Sequence, residues 1–200
     1  TFTAKIFDQA IPVKLPQIGY CNIYNALAAF ATGHSLGITG QEMNLGLKNY
    51  QQIPQRNEQI HYEGITLIND TYNANPQSMR EALKTLKEIN VQGKRFFIIG
   101  DMLELGPLSE TAHHEIGQEI ALSNVDYLVT VGSLASLAAE SAKTNVRQQL
   151  QIVKFSTHDE AANYLSRKVR KGDCLLVKGS RGSKMENVVQ EFLKPKKQNN

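Results

Sequence analysis

The sequence has few of the residues that mark a secreted, metal-binding or membrane protein. Its two cysteines, Cys21 and Cys174, are far apart and lack the spacing of a zinc site or a disulfide framework. No apolar run approaches the ~20 residues that a helix needs to cross a bilayer, and no signal peptide is recognisable. His113 and His114 are adjacent, and such neighbours do not share a helix face. We therefore expect no metal site and a reducing, cytoplasmic location.

Charge of one sign is also scarce. The net charge is +3 at pH 7, and much of the excess lies in the tail at 194–200, which we interpret as a solvated end. The other basic cluster, at 166–173, is typical of an exposed helix end, where cations interact favourably with the helix dipole. A nucleic-acid-binding surface would need a basic stripe with interleaved aromatic residues. We therefore expect no nucleic-acid partner.

Apolar, strand-like runs alternate with helix-like segments from residue 58 onward. Several runs are apolar almost throughout, as expected for strands that are covered on both faces. This alternation predicts an α/β fold with a doubly wound, mostly parallel, Rossmann-like sheet and right-handed crossovers. Residues 60–64 could pair with the first strand as a short hairpin. The predicted strands are 64–70, 94–101, 126–132, 151–156 and 173–179.

Helix start signals lie between these strands. Asn75 and Pro76 fit an N-cap followed by proline at the first helical position. Ser109 opens the next helix. Thr157 and Glu160 have the spacing of a capping box before the fourth helix of this region.

Residues 1–56 do not follow the repeat. Two extended segments interrupted by prolines precede two helices, and the second helix begins with a capping box of Thr39 and Glu42. The polar stretch at 51–59 is typical of a linker. We interpret 1–56 as the tail of a domain that begins upstream. The first helix carries an apolar side at Ile23, Leu27, Phe30 and Ala31.

Polar side chains follow three of the predicted strands. Ligands of an open parallel sheet bind beyond the carboxyl ends of the strands, so these side chains are candidates for a ligand site. They are Asp70, Tyr72, Asn73 and Asn75 after the first strand, Asp101 and Glu104 after the second, and Lys178, Ser180, Arg181 and Lys184 after the fifth.

Each candidate also has a purely structural explanation. Asn75 could be only an N-cap, worth ~1 kcal/mol. Asp70 could receive turn amides. Asp101 and Glu104 could be a turn residue and a solvated side chain. The segment 178–182 could be a flexible loop whose glycines serve the backbone alone.

Several well-known catalytic motifs are missing from the sequence. It contains no G-x-G-x-x-G dinucleotide motif and no G-x-x-x-x-G-K-[ST] phosphate-binding loop. It also contains no G-x-S-x-G nucleophile elbow. The chain as it stands therefore has no recognisable apparatus for phosphoryl transfer.

Three segments resemble the C-terminal domain of the Mur ligases. They are NDTYNANPQSMREAL at 69–83, GDMLELGPLSETAH at 100–113 and VKGSRGSKMENVV at 177–189. GYCNIYNALAAF at 19–30 resembles the family's G-x-H-N-x-x-N-A-x-A-A helix at the end of the central ATPase domain, with Cys21 in place of histidine. Gln55 stands where the family usually has glycine before arginine.

The resemblance implies two domains. Residues 1–56 would be the truncated C-terminal part of a central α/β ATP-binding domain, and residues 57–200 would be the Rossmann-like C-terminal ligase domain. The family's phosphate-binding loop and most of its Mg²⁺ ligands would lie in the part of the ATPase domain that this chain lacks. We therefore expect the chain alone to be inactive.

The Y-N-A-N-P run is similar to the branch of the family that adds D-alanyl-D-alanine to UDP-N-acetylmuramoyl-tripeptide in peptidoglycan synthesis. This similarity implies an ATP-dependent, Mg²⁺-requiring ligation through an acyl phosphate, carried out by a monomeric cytoplasmic enzyme. Nucleotide contacts are implied at Asn22, Asn25, Arg56 and Asp70. Substrate contacts are implied at Tyr72, Asn73, Asn75, Asp101, Glu104 and Ser180.

Two other interpretations compete with this one. The first is a free-standing Rossmann-like domain that binds a small ligand; the abrupt start speaks against it, because we expect a complete domain not to open in mid-sheet. The second is another Mur-type ligase, which would add a diamino acid or glutamate. The segments at 72–76 and 100–106 speak against this second alternative.

Overall fold

The computed structural model describes residues 1–6, 9–144 and 150–195. The last five residues of the predicted solvated tail, 196–200, lie outside the described residues. The chain divides into two compact units, Thr1–Ile53 and Pro54–Asn200. Within the described residues, no helix is both long and apolar enough to span a bilayer.

The first unit contains a two-stranded antiparallel sheet and two helices. Its small core is formed by Ala4, Ile11, Val13 and Phe30. Thr39 and Glu42 form the predicted capping box at the start of the second helix. The elements are β1 (Phe2–Ile6), β2 (Gln9–Val13), α1 (Tyr20–Ser35) and α2 (Gly40–Lys48).

The buried face of α1 differs from the predicted one. Phe30 is buried as expected, but Ala31 is exposed. Small residues allow the close approach of α2, since a Cβ added to Gly33 would lie 2.7 Å from the Met43 sulfur. Leu27, also predicted for this face, is partly buried against the core of the unit. The buried residues of α1 are Asn22, Ala26, Phe30 and Gly33.

The second unit alternates strands and helices. Its helix α4 begins at Ser109, as the sequence predicts. Short 3-10 helices occupy Gly106–Leu108 and Arg181–Ser183. The elements are β3 (Glu58–Tyr62), β4 (Ile65–Asp70), α3 (Pro76–Glu88), β5 (Arg95–Gly100), α4 (Ser109–Ala121), β6 (Tyr127–Val131), α5 (Ser133–Lys143), β7 (Gln151–Phe155), α6 (His158–Lys168), β8 (Cys174–Lys178) and α7 (Glu186–Phe192).

The six strands form one sheet in the order β3-β4-β8-β5-β6-β7. The β3–β4 pair is antiparallel, which confirms the predicted hairpin, and the other four pairs are parallel. Helix α4 packs against α3 and α5, while α6 packs against α7. The predicted α/β class with a doubly wound, mostly parallel sheet is therefore confirmed.

Both faces of the sheet are buried. Leu67, Phe96 and Leu175 join the side chains of α6 and α7 in one core cluster. Successive strand residues point to opposite faces, and the next residues along two of these strands, Phe97 and Leu176, are also fully buried. This two-sided burial explains why the strands are apolar almost throughout.

Local capping signals set the helix starts. The Asn75 side chain accepts a hydrogen bond from the Ser78 N–H at 2.8 Å, and the Asn75 N–H donates to the Ser78 hydroxyl at 3.0 Å. Pro76 occupies the first turn of α3. Thr157 and Glu160 form the equivalent capping box at α6. These sequence predictions are confirmed.

Candidate functional site

Three polar loops meet at the carboxyl edge of the sheet. β8 lies between β4 and β5, so the ends of these three strands are neighbours, and the register pairs Lys178 with both Asp70 and Ile99. Each strand end continues into a polar segment. We name these segments the Asp70 loop (70–75), the Asp101 loop (101–105) and the Ser180 loop (178–184). The structure therefore brings together the three segments that the sequence singled out.

Lys178 holds the Asp70 loop in place. Its ammonium group donates to Asp70 Oδ2 at 2.6 Å and to the Asn73 carbonyl at 2.9 Å. The Lys178 side chain is 3% exposed and that of Asp70 is 14% exposed. The Asn57 N–H donates to the other carboxylate oxygen of Asp70 at 3.1 Å. A charge buried to this extent requires such partners.

Ser180 connects all three loops. Its hydroxyl donates to the Ala74 carbonyl at 3.0 Å and accepts from the Leu103 N–H at 2.9 Å. Its own N–H donates to the Asp101 carbonyl at 3.0 Å. The side chain is almost completely buried. Ser180 thus supports the geometry of the site, and its predicted contact with the substrate stays a prediction.

The Asp101 carboxylate lies at the N-terminus of α5. Its Oδ1 accepts from the Ala135 N–H at 2.7 Å, where a negative charge interacts favourably with the helix dipole. A Cβ at Gly132 would lie 2.5 Å from that oxygen, so only glycine fits there. Glu104, in the same loop, is exposed and has a left-handed φ of 62°.

Two histidines, His113 and His158, support these loops. His113 is buried; its Nε2 accepts from the Met102 N–H at 2.9 Å, and its Nδ1 lies 2.7 Å from the Ser109 carbonyl. This pattern requires the neutral ring with its proton on Nδ1. The Nε2 of His158 lies 2.8 Å from the Ser183 carbonyl in the Ser180 loop. No signal in the sequence indicates either role.

Two arginine side chains lie near the ring of Tyr72. Tyr72 is 45% exposed. The Arg56 guanidinium carbon lies 3.9 Å and that of Arg181 lies 6.0 Å from the ring centroid. The Tyr72 N–H donates to the Gln55 carbonyl at 3.0 Å, and Arg181 Nη1 donates to the Gln55 side-chain oxygen at 2.8 Å. We call Gln55, Arg56, Tyr72 and Arg181 the Tyr72 cluster.

The two asparagines of the Asp70 loop differ in how fully they are used. The side-chain oxygen of Asn75 caps the N-terminus of α3 by accepting a hydrogen bond from the Ser78 N–H. The side-chain oxygen of Asn73 accepts from the Ala74 N–H at 2.8 Å, and the residue is exposed. The amide group of Asn73 is therefore well placed to donate to a ligand.

The other predicted nucleotide contacts lie on α1 in the first unit. Asn22 is buried and donates from its amide to the Ile18 carbonyl at 2.7 Å. Asn25 is exposed and donates to the Asn22 side-chain oxygen at 3.3 Å. Their contact with a nucleotide stays a prediction.

The described residues provide neither a cluster of metal ligands nor a reactive Cys174 thiol. Over the described ranges, no group of three or more histidine, cysteine or carboxylate side chains is arranged to hold a metal ion. Burial in the sheet raises the pKa of the Cys174 thiol to about 11. Since the thiolate is the reactive form, Cys174 is a core residue and not a nucleophile.

Comparison with known families identifies the class of this chain. Residues 55–181 match the family model described as Mur ligase, glutamate ligase domain. The chain therefore belongs to the Mur ligase family. Among the most similar relatives is the UDP-N-acetylmuramoyl-tripeptide–D-alanyl-D-alanine ligase of Bacillus subtilis, which is 34% identical over 180 residues, covering 90% of this chain and 39% of the relative.

Solved structures give the same result. A MurF structure from Acinetobacter baumannii has a TM-score of 0.84 and 32% identity, and the match covers 97% of this chain and 42% of that chain. The MurF ligase from Thermotoga maritima, solved in complex with ADP, has a TM-score of 0.77 and 25% identity, with 97% and 45% coverage. The chain thus spans about two fifths of the length of the relatives it matches.

Proposed function

We propose that this chain is the C-terminal part of an ATP-dependent ligase that joins D-alanyl-D-alanine to UDP-N-acetylmuramoyl-tripeptide in peptidoglycan synthesis. Residues 1–56 belong to its ATP-binding domain and residues 57–200 form its ligase domain. The enzyme is monomeric and cytoplasmic. One observation carries the proposal: the Asp70, Asp101 and Ser180 loops meet at one edge of the sheet. The relatives that this chain resembles are D-alanyl-D-alanine ligases.

The reaction requires activation of a carboxylate, which is a poor electrophile as long as its oxygen is a poor leaving group. ATP, together with Mg²⁺, supplies a phosphoryl group that converts the carboxylate of the tripeptide into an acyl phosphate. The amine of the dipeptide then forms the new amide bond, and phosphate leaves. We place most Mg²⁺ ligands outside this chain, as the resemblance to the family implies.

The residues proposed for nucleotide binding fit that ligand chemically. The Arg56 guanidinium is exposed and can donate to a phosphate oxygen. Asp70 uses two of the roughly four acceptor positions of a carboxylate, so it can still accept from a ribose hydroxyl. Asn22 and Asn25 contact the adenine in this proposal.

The residues proposed for the dipeptide hold its amine against the activated carbonyl. Asp101 and Glu104 supply carboxylates for the ammonium group, while the amide of Asn73 supplies a donor. Tyr72 and Asn75 line the cleft, and Ser180 keeps the loops together. Positioning of this kind converts an encounter of two molecules into a reaction within one complex.

We expect Asn73→Ala, in the complete protein, to reduce dipeptide-dependent phosphate release by at least about tenfold. Asp70→Asn should raise the KM for ATP. The matched control is Arg167→Met, which removes an exposed charge at the C-terminal end of α6. Far-ultraviolet circular dichroism should be the same for all variants. Full activity of both Asn73→Ala and Asp70→Asn in folded protein would contradict the proposal.

A further inference from the structure

The Tyr72 cluster places two positive charges over one exposed ring. The Arg56 and Arg181 guanidinium carbons lie 3.9 Å and 6.0 Å from the centroid of Tyr72. Two guanidinium groups near one ring concentrate positive charge there, and a negatively charged ligand is attracted to both. The arrangement is therefore more favourable with a negatively charged ligand than without one.

The two arginines keep unused capacity for such a ligand. None of the ion pairs among the described residues includes Arg56. Arg181 approaches Glu186 at 3.5 Å, a distance too long for a strong hydrogen bond, and its side chain is 63% exposed. Lys178, by contrast, is buried and committed to Asp70. The exposed cations at this edge thus include the two arginines, together with Lys184 of the Ser180 loop.

Gln55 fixes the direction of Arg181. The Gln55 backbone has a left-handed φ of 62°, a conformation that is unfavourable for residues with a side chain. It is held by a bond from its N–H to Glu58 Oε2 at 2.9 Å and a bond from the Tyr72 N–H to its carbonyl at 3.0 Å. From this position its side-chain oxygen accepts from Arg181 Nη1 at 2.8 Å. Glycine would relieve the strain but could not hold the guanidinium.

We propose that Arg181, Gln55 and Tyr72 of the Tyr72 cluster form a carboxylate-binding site that receives the C-terminal carboxylate of the dipeptide substrate. Arg56, which we assign above to a nucleotide phosphate, lies beside this site. This inference rests on the proposed function and names the group that recognises the substrate. The Arg181 guanidinium presents a planar pair of donors that matches a carboxylate. The Tyr72 ring offers an apolar surface to an alanine methyl group. Gln55 is a positioning residue, because it acts through Arg181.

The test is an equilibrium titration of the 200-residue chain, labelled with ¹⁵N and followed by NMR at millimolar ligand concentrations. D-alanyl-D-alanine is compared with D-alanyl-D-alaninamide, which has the same shape without the carboxylate. The unmodified chain should bind the acid about tenfold or more tightly than the amide, as expected for a charge-assisted contact. Saturable shifts should include Gln55, Tyr72 and Arg181.

The variants separate charge, fork geometry and positioning. Arg181→Met should abolish the preference for the acid, and Arg181→Lys should retain only part of it. Gln55→Glu should abolish the preference for the acid even though Arg181 is present, because the new carboxylate forms an ion pair with the Arg181 guanidinium and competes with the ligand. Gln55→Gly should weaken binding of the acid without lowering the unfolding midpoint, a combination that a merely structural residue would not give. Arg167→Met, the matched control, should behave like the unmodified chain.

Three results would overturn the proposal: no saturable shift in the cluster, equal affinity for acid and amide, or an unchanged preference in Arg181→Met. If ADP moves these resonances and the dipeptide does not, the cluster is a phosphate site and the carboxylate assignment is wrong. The titration measures binding of the dipeptide and does not require the ligase reaction. If the complete protein proved to lack the proposed enzymatic activity, the titration would still show whether this site binds a carboxylate.

Discussion

Lys178 and Asp70 end neighbouring parallel strands, and the sheet register pairs them directly. The sequence shows that each residue follows an apolar run, which predicts a place at the carboxyl edge. It does not show that they touch, because β8 comes last along the chain yet lies next to β4. Strand order depends on packing over the whole sheet, and hydrophobic periodicity carries no information about it.

We expect Lys178→Met to lower the free energy of unfolding by roughly 3 kcal/mol, because it leaves a mostly buried carboxylate without its partner. The measurement is urea denaturation of the 200-residue chain at neutral pH. The double variant Lys178→Met with Asp70→Asn should recover part of the loss, since the unpaired charge is then gone. A loss below about 1 kcal/mol in the single variant would contradict this view of the pair.

Ser180 and His113 show what single-residue reasoning misses. The family resemblance implies that Ser180 contacts the substrate, and the structure shows its hydroxyl joining the Asp70 and Asp101 loops. His113 was considered only as a metal ligand, yet it holds the Met102 N–H. Short polar side chains find partners that are distant along the chain. The sequence therefore indicates that such residues lie near the site, but not which atoms they satisfy.

Helix α3 illustrates how much of an element is set locally. Its start depends on Asn75, Pro76 and Ser78, all of which are visible in the sequence. The strands of the second unit were predictable for a similar reason, because burial on both faces produces continuous apolar runs. The face of α1 was not predictable in this way, since Gly33 and Ala26 are buried because they are small.

We expect Asn75→Ala to destabilise the chain by about 1 kcal/mol, because the N–H of Ser78 loses its acceptor. Urea denaturation provides the measurement. Asn75→Asp keeps an acceptor at the same position and should preserve stability. A loss in Asn75→Asp as large as in Asn75→Ala would show that capping is not what the side chain contributes.

The same pair of variants separates the two roles assigned to Asn75. If the side chain only caps α3, Asn75→Asp should retain dipeptide-dependent activity in the complete protein as well as stability. If its amide also contacts the substrate, as the family resemblance implies, Asn75→Asp should remain stable and lose activity.

On the scale of the entire chain, the fold and the place of the site follow from one arrangement. Three adjacent strands end side by side, and the loops after them carry the polar residues that the sequence singled out. The class of fold was predictable, and so was the edge of the sheet at which the site lies, because both depend on the alternation of strands and helices. The Tyr72 cluster was not, because Gln55 and Arg181 are 126 positions apart and meet only in the folded chain.

The proposal as a whole can be tested by measuring phosphate release with ATP, Mg²⁺ and UDP-N-acetylmuramoyl-tripeptide, in the presence and absence of D-alanyl-D-alanine. The complete protein should release phosphate in amounts that match the pentapeptide product, and only when the dipeptide is present. The 200-residue chain should release none. Dipeptide-dependent release by the chain alone, or none by the complete protein, would contradict a ligase whose C-terminal domain positions the amine.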